Sequence, residues 1–224
     1  MKKLSTLSLS AFLFSGLIFA ESTENTSIFR ISGLLVDEII DGGDSGIGAT
    51  AEYAFIIHKA DNFFTAIGYE LGFIQSEIKE GTFEKISVDT TNSESLQFDI
   101  AEIETRLIPA FINYRFRGGL KDPKTFWECG AGFGVILVDV DMKLAGLPNL
   151  NDDDLIFGGQ VFGRLGYDIT KTVKLLFGVR YMMSEDFDFQ DSTKDIENED
   201  LDIDIQLDEI FGSVAFDISF NFVF

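Results

Sequence analysis

IFGSVAFDISFNFVF, residues 210–224, alternates with a period of two. Ile210, Gly212, Val214, Phe216, Ile218, Phe220, Phe222 and Phe224 share one face, and Ser213, Ala215, Asp217, Ser219 and Asn221 share the other. A helix, with 3.6 residues per turn, would scatter these aromatics around its circumference, whereas a strand separates the two sets cleanly. Large apolar groups opposite small polar ones and a carboxylate suit a strand standing between lipid and a polar barrel interior.

Working backwards, the same alternation recurs seven more times. Segment 173–184 puts Val173, Leu175, Phe177, Val179, Tyr181 and Met183 outward against Lys174, Gly178, Arg180 and Ser184. Segment 155–167 sets Phe157, Val161, Leu165 and Tyr167 against Gln160, Arg164 and Gly166, and 126–140 sets Trp127, Cys129, Ala131, Phe133, Val135 and Leu137 against Glu128, Gly130, Gly132 and Gly134. Segments 46–57 and 63–76 place Tyr53, Phe55, Tyr69, Leu71 and Phe73 outward with Glu52 and Glu70 inward, and in 28–36 Phe29, Ile31 and Leu35 face out. The remaining strand, 103–116, carries Pro109 in its middle, which removes a ladder donor and predicts a bulge there. Its apolar parity also slips between Ile100 and Ile103, as an inserted residue would cause. The expected fold is all-β: an eight-stranded, up-and-down antiparallel transmembrane barrel.

The connections alternate in length. Residues 58–62, 117–125 and 168–172 make short turns, and 37–45, 77–95, 142–154 and 185–209 make longer loops. Such barrels have short periplasmic turns and longer extracellular loops. Charge follows the same division: the last long loop holds twelve acidic residues and one base, Lys194, while Arg115, Arg117, Lys121, Lys124, Lys171 and Lys174 lie at or beside short turns. Within that loop Phe187 and Phe189, and then Leu201, Ile203, Ile205 and Leu207, keep a strand-like alternation. They read either as a protruding hairpin, with a bulge near Asp208 and Glu209, or as a disordered acidic loop.

The bulk composition now makes sense. The 224 residues combine 46% hydrophobic content and 24 Phe with a net charge of −21, and the barrel separates the two by depth. Residues 1–20 read as an export signal, with Lys2 and Lys3, an apolar stretch from Leu7 to Phe19, and Ala20 before Glu21; residues 21–224 form the barrel domain. With Lys2 and Lys3 removed, 15 basic residues face 38 acidic ones, which excludes nucleic acid as a partner. No later apolar run is long enough for a spanning helix, so any crossing is made by strands. Cys129 has no second cysteine to pair with and reads as a wall residue.

On these residues the chain resembles the OmpA/OmpX-like eight-stranded outer-membrane barrels, and Phe220-Asn221-Phe222-Val223-Phe224 is similar to the terminal strand signal of that class. The resemblance covers pattern and not residue identity. It implies a location in the cell outer membrane among its lipids. It also implies that Phe220, Phe222 and Phe224 act as an assembly signal read by the barrel-assembly machinery during insertion.

The pleat brings Arg30, Arg106, Arg164 and Arg180 into the interior with Glu52, Glu70, Glu102, Glu104, Glu128 and Asp217. An eight-stranded barrel is about wide enough inside for side chains to fill. This lumen charge network therefore reads either as a salt-bridged plug or as a narrow porin-like channel whose pairs exchange partners. The single imidazole, His58, falls on a short turn, far from the outer leaflet where a lipid-modifying enzyme would need its base. The alternating Gly130, Gly132 and Gly134 precede no helix and form no phosphate loop; they leave room for long lumenal side chains. Asp152, Asp153 and Asp154, and Asp200, Asp202 and Asp204, could collect divalent cations or simply form a solvated acidic surface. The reading assigns no catalytic, cofactor or metal residue. It expects a structural, surface-interacting barrel that displays acidic loops to an unidentified external ligand.

Overall fold

The structure, a computed structural model, describes residues 27–224 apart from 38–44, 61–62, 80–85, 90–94, 99, 145–149, 186, 195–199 and 208–211. The export signal, Ile210 and the bulge expected near Asp208 and Glu209 lie outside the described residues.

Twelve strands follow one another: β1 (Ser27–Val36), β2 (Gly46–Ala60), β3 (Phe63–Lys79), β4 (Ile86–Asp89), β5 (Ser95–Phe98), β6 (Ile100–Gly119), β7 (Thr125–Leu144), β8 (Leu150–Asp168), β9 (Val173–Ser184), β10 (Phe187–Lys194), β11 (Asp200–Leu207) and β12 (Gly212–Val223). Eight of them close a barrel in the order β1-β12-β9-β8-β7-β6-β3-β2. Every neighbour is antiparallel, and the seam is made by β1 and β12 from Ile28↔Val223 to Val36↔Ala215. Past that register the Phe224 N–H donates to the Ser27 carbonyl at 3.0 Å, so the last residue is tied to the first strand. Closure removes the free strand edges that lipid could not satisfy.

The opening segment behaves as its alternation requires. Phe216, Ile218, Phe220 and Phe224 are exposed on the outside, while Ser213, Asp217, Ser219 and Asn221 are buried within. Of the two readings of the last long loop, the hairpin is present as strand pairing: β10 pairs with β11 from Phe187↔Leu207 to Lys194↔Asp200. A second hairpin, β4 with β5, occupies what reads in the sequence as a loop.

Two expectations are corrected. Pro109 makes no bulge: β6 keeps one register with β7 through Pro109↔Ile136, and with β3 from Leu71↔Ala110 to Ile74↔Leu107. Only the ladder positions beside the proline are interrupted. The irregularities fall instead between Ile100 and Glu102, where the apolar parity slips, and between Ile56 and His58 in β2.

The loop expected over 142–154 is mostly strand, because β7 runs to Leu144 and β8 starts at Leu150. Its acidic residues sit on the strands of the barrel wall. β6 and β7 are 20 residues long and β8 is 19, against 10 in β1 and 12 in β9 and β12. A tilted span needs about 9–11 residues. The β6–β8 side therefore continues beyond the bilayer as a tall wall while the β9–β12–β1 side stops near its surface. On the outward face of β7 the change is visible in sequence, from Phe133 and Leu137 to Asp139 and Asp141.

Candidate functional site

The candidate site is the lumen. Alternation on each strand sends every second side chain inward, and the inward residues form three layers along the barrel axis. Nearest the short turns, the Arg117 guanidinium lies 4.7 Å from the Phe64 ring centroid and 4.2 Å from that of Phe126. It is both a cation–π partner and a plug of that end.

The middle layer is ionic. Glu128, fully buried, accepts from Arg30, from Arg117 at 2.8 Å and from Arg164 at 3.2 Å, with Arg115 3.8 Å away. Arg30 also reaches Glu52 at 3.2 Å and donates to Asn221 at 2.7 Å. Arg164 bridges to Asp217 at 2.8 Å, and Ser219 donates to the same carboxylate at 3.0 Å. Arg180 joins Glu70 at 2.6 Å; Gln160 donates to Glu70 at 3.1 Å and to Asn113 at 2.8 Å. Five arginines thus share four carboxylates, Glu52, Glu70, Glu128 and Asp217, in one connected network away from solvent. Burial of charge on this scale persists only because each ion is paired and hydrogen-bonded.

Glycines give the network its room. A Cβ on Gly68 would overlap the Glu52 carboxylate, and one on Gly178 would overlap the Arg164 side chain. The expectation for the β7 glycines holds in kind but with different neighbours: Gly132 accommodates Asn113, and Gly130 accommodates the Phe162 ring.

Toward the long-loop end the lumen turns mainly apolar. Leu34, Ile74, Leu107, Phe111, Ile136, Val138, Val140 and Met182 are buried there, with the hydroxyl residues Ser76, Thr105 and Ser213 among them. The sequence reading missed this layer because a strand with apolar residues on both faces carries no parity signal.

Arg30, Glu52, Glu70, Glu128, Arg164, Arg180 and Asp217 all lie where expected. Glu104 and Arg106 do not. They share the outward face of β6 with Ile108, Ile112 and Tyr114, above the apolar band. Arg106 there meets Glu104 at 2.9 Å, Asp141 at 3.4 Å and Asp139 at 3.7 Å, and its side chain is 38% exposed. The inward residues of β6 are instead Ile103, Thr105, Leu107, Phe111, Asn113, Arg115 and Arg117. Parity misleads on this strand because β6 has large apolar residues on both sides, and charge alone then marks neither face as the interior. The aromatic pair Tyr114 and Phe116, whose centroids are 4.9 Å apart on the outer face, is the signal that Arg115 between them points in. The backbone of Glu102 pairs with Lys79 and Lys143, and its side chain lies outside the described set.

His58 is exposed in β2 just past the bulge, at the turn end. Cys129 is an exposed wall residue. Strand alternation puts Asp153 on one face of β8 and Asp152 and Asp154 on the other, so the three do not converge. Among the described residues no group of three or more His, Cys, Asp or Glu could hold a metal ion.

The exterior decides the environment. Ile31, Tyr69, Phe133, Phe157, Leu165, Phe177, Phe216 and Ile218 all stand exposed around the wall, and Phe133 is 69% accessible. A protein with its ions inside and its aromatics outside is inverted with respect to a soluble one, and a closed strand barrel is a form that satisfies its backbone in lipid. This is a transmembrane β-barrel of the outer-membrane kind. Among similar solved structures are a major outer membrane protein from Thermus thermophilus (10% identity, TM-score 0.49, 88% of this chain and 99% of that chain) and Ail, the attachment invasion locus protein of Yersinia pestis (8%, 0.47, 90% and 99%). Neisserial surface protein A is another (11%, 0.42, 88% and 96%). No family model and no curated protein matches the chain. The resemblance to the OmpA/OmpX-like barrels is one of fold, and that fold rests on the chain's own strand pairing.

Proposed function

We propose that this protein is a closed structural barrel of the outer membrane that holds a tall strand wall and an amphipathic hairpin at the cell surface for contact with an external partner. The observation that carries the reading is the filled lumen: an arginine between two rings, then a connected ionic layer, then an apolar layer. Side chains packed across the lumen leave no continuous water-filled path, and an apolar layer adds a dewetted barrier to ions.

The display half of the reading rests on the hairpin. Its two strands pair from Phe187↔Leu207 to Lys194↔Asp200. In sequence Phe187, Phe189, Leu201, Ile203, Ile205 and Leu207 alternate with polar and acidic residues, and this alternation supports contact with a partner. Phe220, Phe222 and Phe224 fit a role as the signal read by the assembly machinery, since Phe220 and Phe224 are exposed on the final strand.

The test is single-channel recording of the refolded protein in a planar bilayer. No conductance steps are expected at any voltage; steady unitary openings would replace this reading with a narrow porin-like channel.

A further inference from the structure

Between the β6–β7 and β8–β9 turns lies a hollow of about 250 Å³. Leu120, Phe126, Leu165 and Phe177 line it together with Thr125 and Tyr167, whose hydroxyls are its polar side-chain groups. Leu165 pairs across the sheet with Trp127 on one side and Phe177 on the other, so the hollow lies on the lipid-facing wall. Trp127 and Tyr167 also fix its height, since such residues sit where hydrocarbon meets headgroups. The two turns are tied together, the Asp168 N–H donating to the Lys124 carbonyl at 2.8 Å.

The two turns that flank this hollow carry lysines. Lys121 and Lys124 come from one turn and Lys171 from the other, all exposed. Of the carboxylates in these turns, Asp168 is paired with Lys174 at 2.5 Å, while Asp122 accepts from the Lys124 backbone N–H at 2.9 Å and keeps its charge. Among the described residues none of the three exposed lysines forms an ion pair. In a chain with a net charge of −21, three exposed lysines that form no ion pair among the described residues, in the turns that adjoin an apolar hollow, form a local exception.

We propose that this corner binds an anionic phospholipid of the leaflet at the turn end, with the phosphate held by Lys121, Lys124 and Lys171 and an acyl chain laid into the hollow. The inference rests on the transmembrane reading of the barrel and is independent of whether the lumen conducts. Each lysine near an anionic membrane surface adds roughly fivefold in affinity, and three add on the order of a hundredfold.

Native mass spectrometry of the refolded barrel, with phosphatidylglycerol and phosphatidylcholine of identical chains supplied in equal amounts, tests it. Retention of phosphatidylglycerol at least tenfold above phosphatidylcholine is expected. The triple variant Lys121→Gln, Lys124→Gln, Lys171→Gln should lose that preference, and Lys59→Gln, on β2, should keep it. Leu120→Ser should weaken retention of both lipids without changing their ratio. Equal retention of the two lipids by the native chain, or a preference that survives the triple variant, overturns the proposal. So does an equal thermal stabilisation by inorganic phosphate alone, which would make the corner a site for free anions. Bilayer conductance reads the closed-barrel proposal separately, so either idea can fail without the other.

Discussion

Glu128→Gln removes one charge from the centre of the lumen and leaves its shape almost unchanged. In the native barrel that carboxylate serves Arg30, Arg117 and Arg164 directly and Arg115 at 3.8 Å, with side-chain exposure of 0%. The amide keeps one acceptor oxygen, while its NH2 group is turned on a guanidinium. Five arginines are then left with three carboxylates. Breaking a buried pair from one side costs about 3–5 kcal/mol, because the surviving charge stays desolvated. With a urea dependence of about 2 kcal/mol per molar, the unfolding midpoint should fall by roughly 1.5–2.5 M. The assay is urea unfolding of the barrel refolded into lipid vesicles, followed by the fluorescence of Trp127, the only tryptophan of the chain. Glu104→Gln is the matched comparison. On composition alone the two glutamates are equivalent, yet Glu104 faces outward and shares an Arg106 that is 38% exposed. Its loss should move the midpoint by no more than about a few tenths of a molar. Equal shifts for the two variants would refute the assignment of Glu128 to the interior and Glu104 to the outer wall.

Other perturbations probe different layers. Gly68→Ala should destabilise the barrel by about 1–3 kcal/mol through overlap with Glu52, whereas Gly163→Ala, with nothing within 4 Å of its new methyl, should be neutral or slightly stabilising in the same urea assay. Phe216→Lys places an ammonium group on the lipid face near mid-strand and should cost about 2–4 kcal/mol, while Asp153→Lys on the wall above the membrane should be tolerated; heat-modified gel mobility of the two would show whether the band ends where β7 and β8 turn charged. Removing Phe224 should slow insertion in cells and leave spontaneous refolding into vesicles nearly unchanged; equal slowing of both would assign the residue to β1–β12 closure alone. Deleting residues 187–207 should preserve the barrel's resistance to detergent unfolding, and a collapse of that resistance would make the hairpin part of the fold and not a displayed element.

Much of the architecture was legible because the strand period is two and the membrane imposes one rule on every outward position. Residues 210–224 alone gave the last strand its faces, and β1, β2, β3, β7, β8 and β9 repeated the same pattern. Each inward charge on those strands could be named from the alternation: Arg30, Glu52, Glu70, Glu128, Arg164, Arg180 and Asp217. The hairpin of β10 and β11 was one of the two readings that its alternation allowed.

What the chain could not reveal locally was anything that depends on height along the barrel. Asp139 and Asp141 continue a strand into water, where the outward face prefers charge, so in sequence they resemble a loop. On β6 the lumen is apolar at the same level where the outside is apolar, and the alternation that marks every other strand disappears. Apart from the aromatics Tyr114 and Phe116 that flank Arg115, only the assembled barrel assigns Arg115 and Arg117 to the interior and Arg106 to the outer wall. Closure is what brings Arg30 of β1, Glu128 of β7 and Asp217 of β12 into one network: local pattern can say which side of the wall a residue faces, and only the closed ring says which residues it meets there.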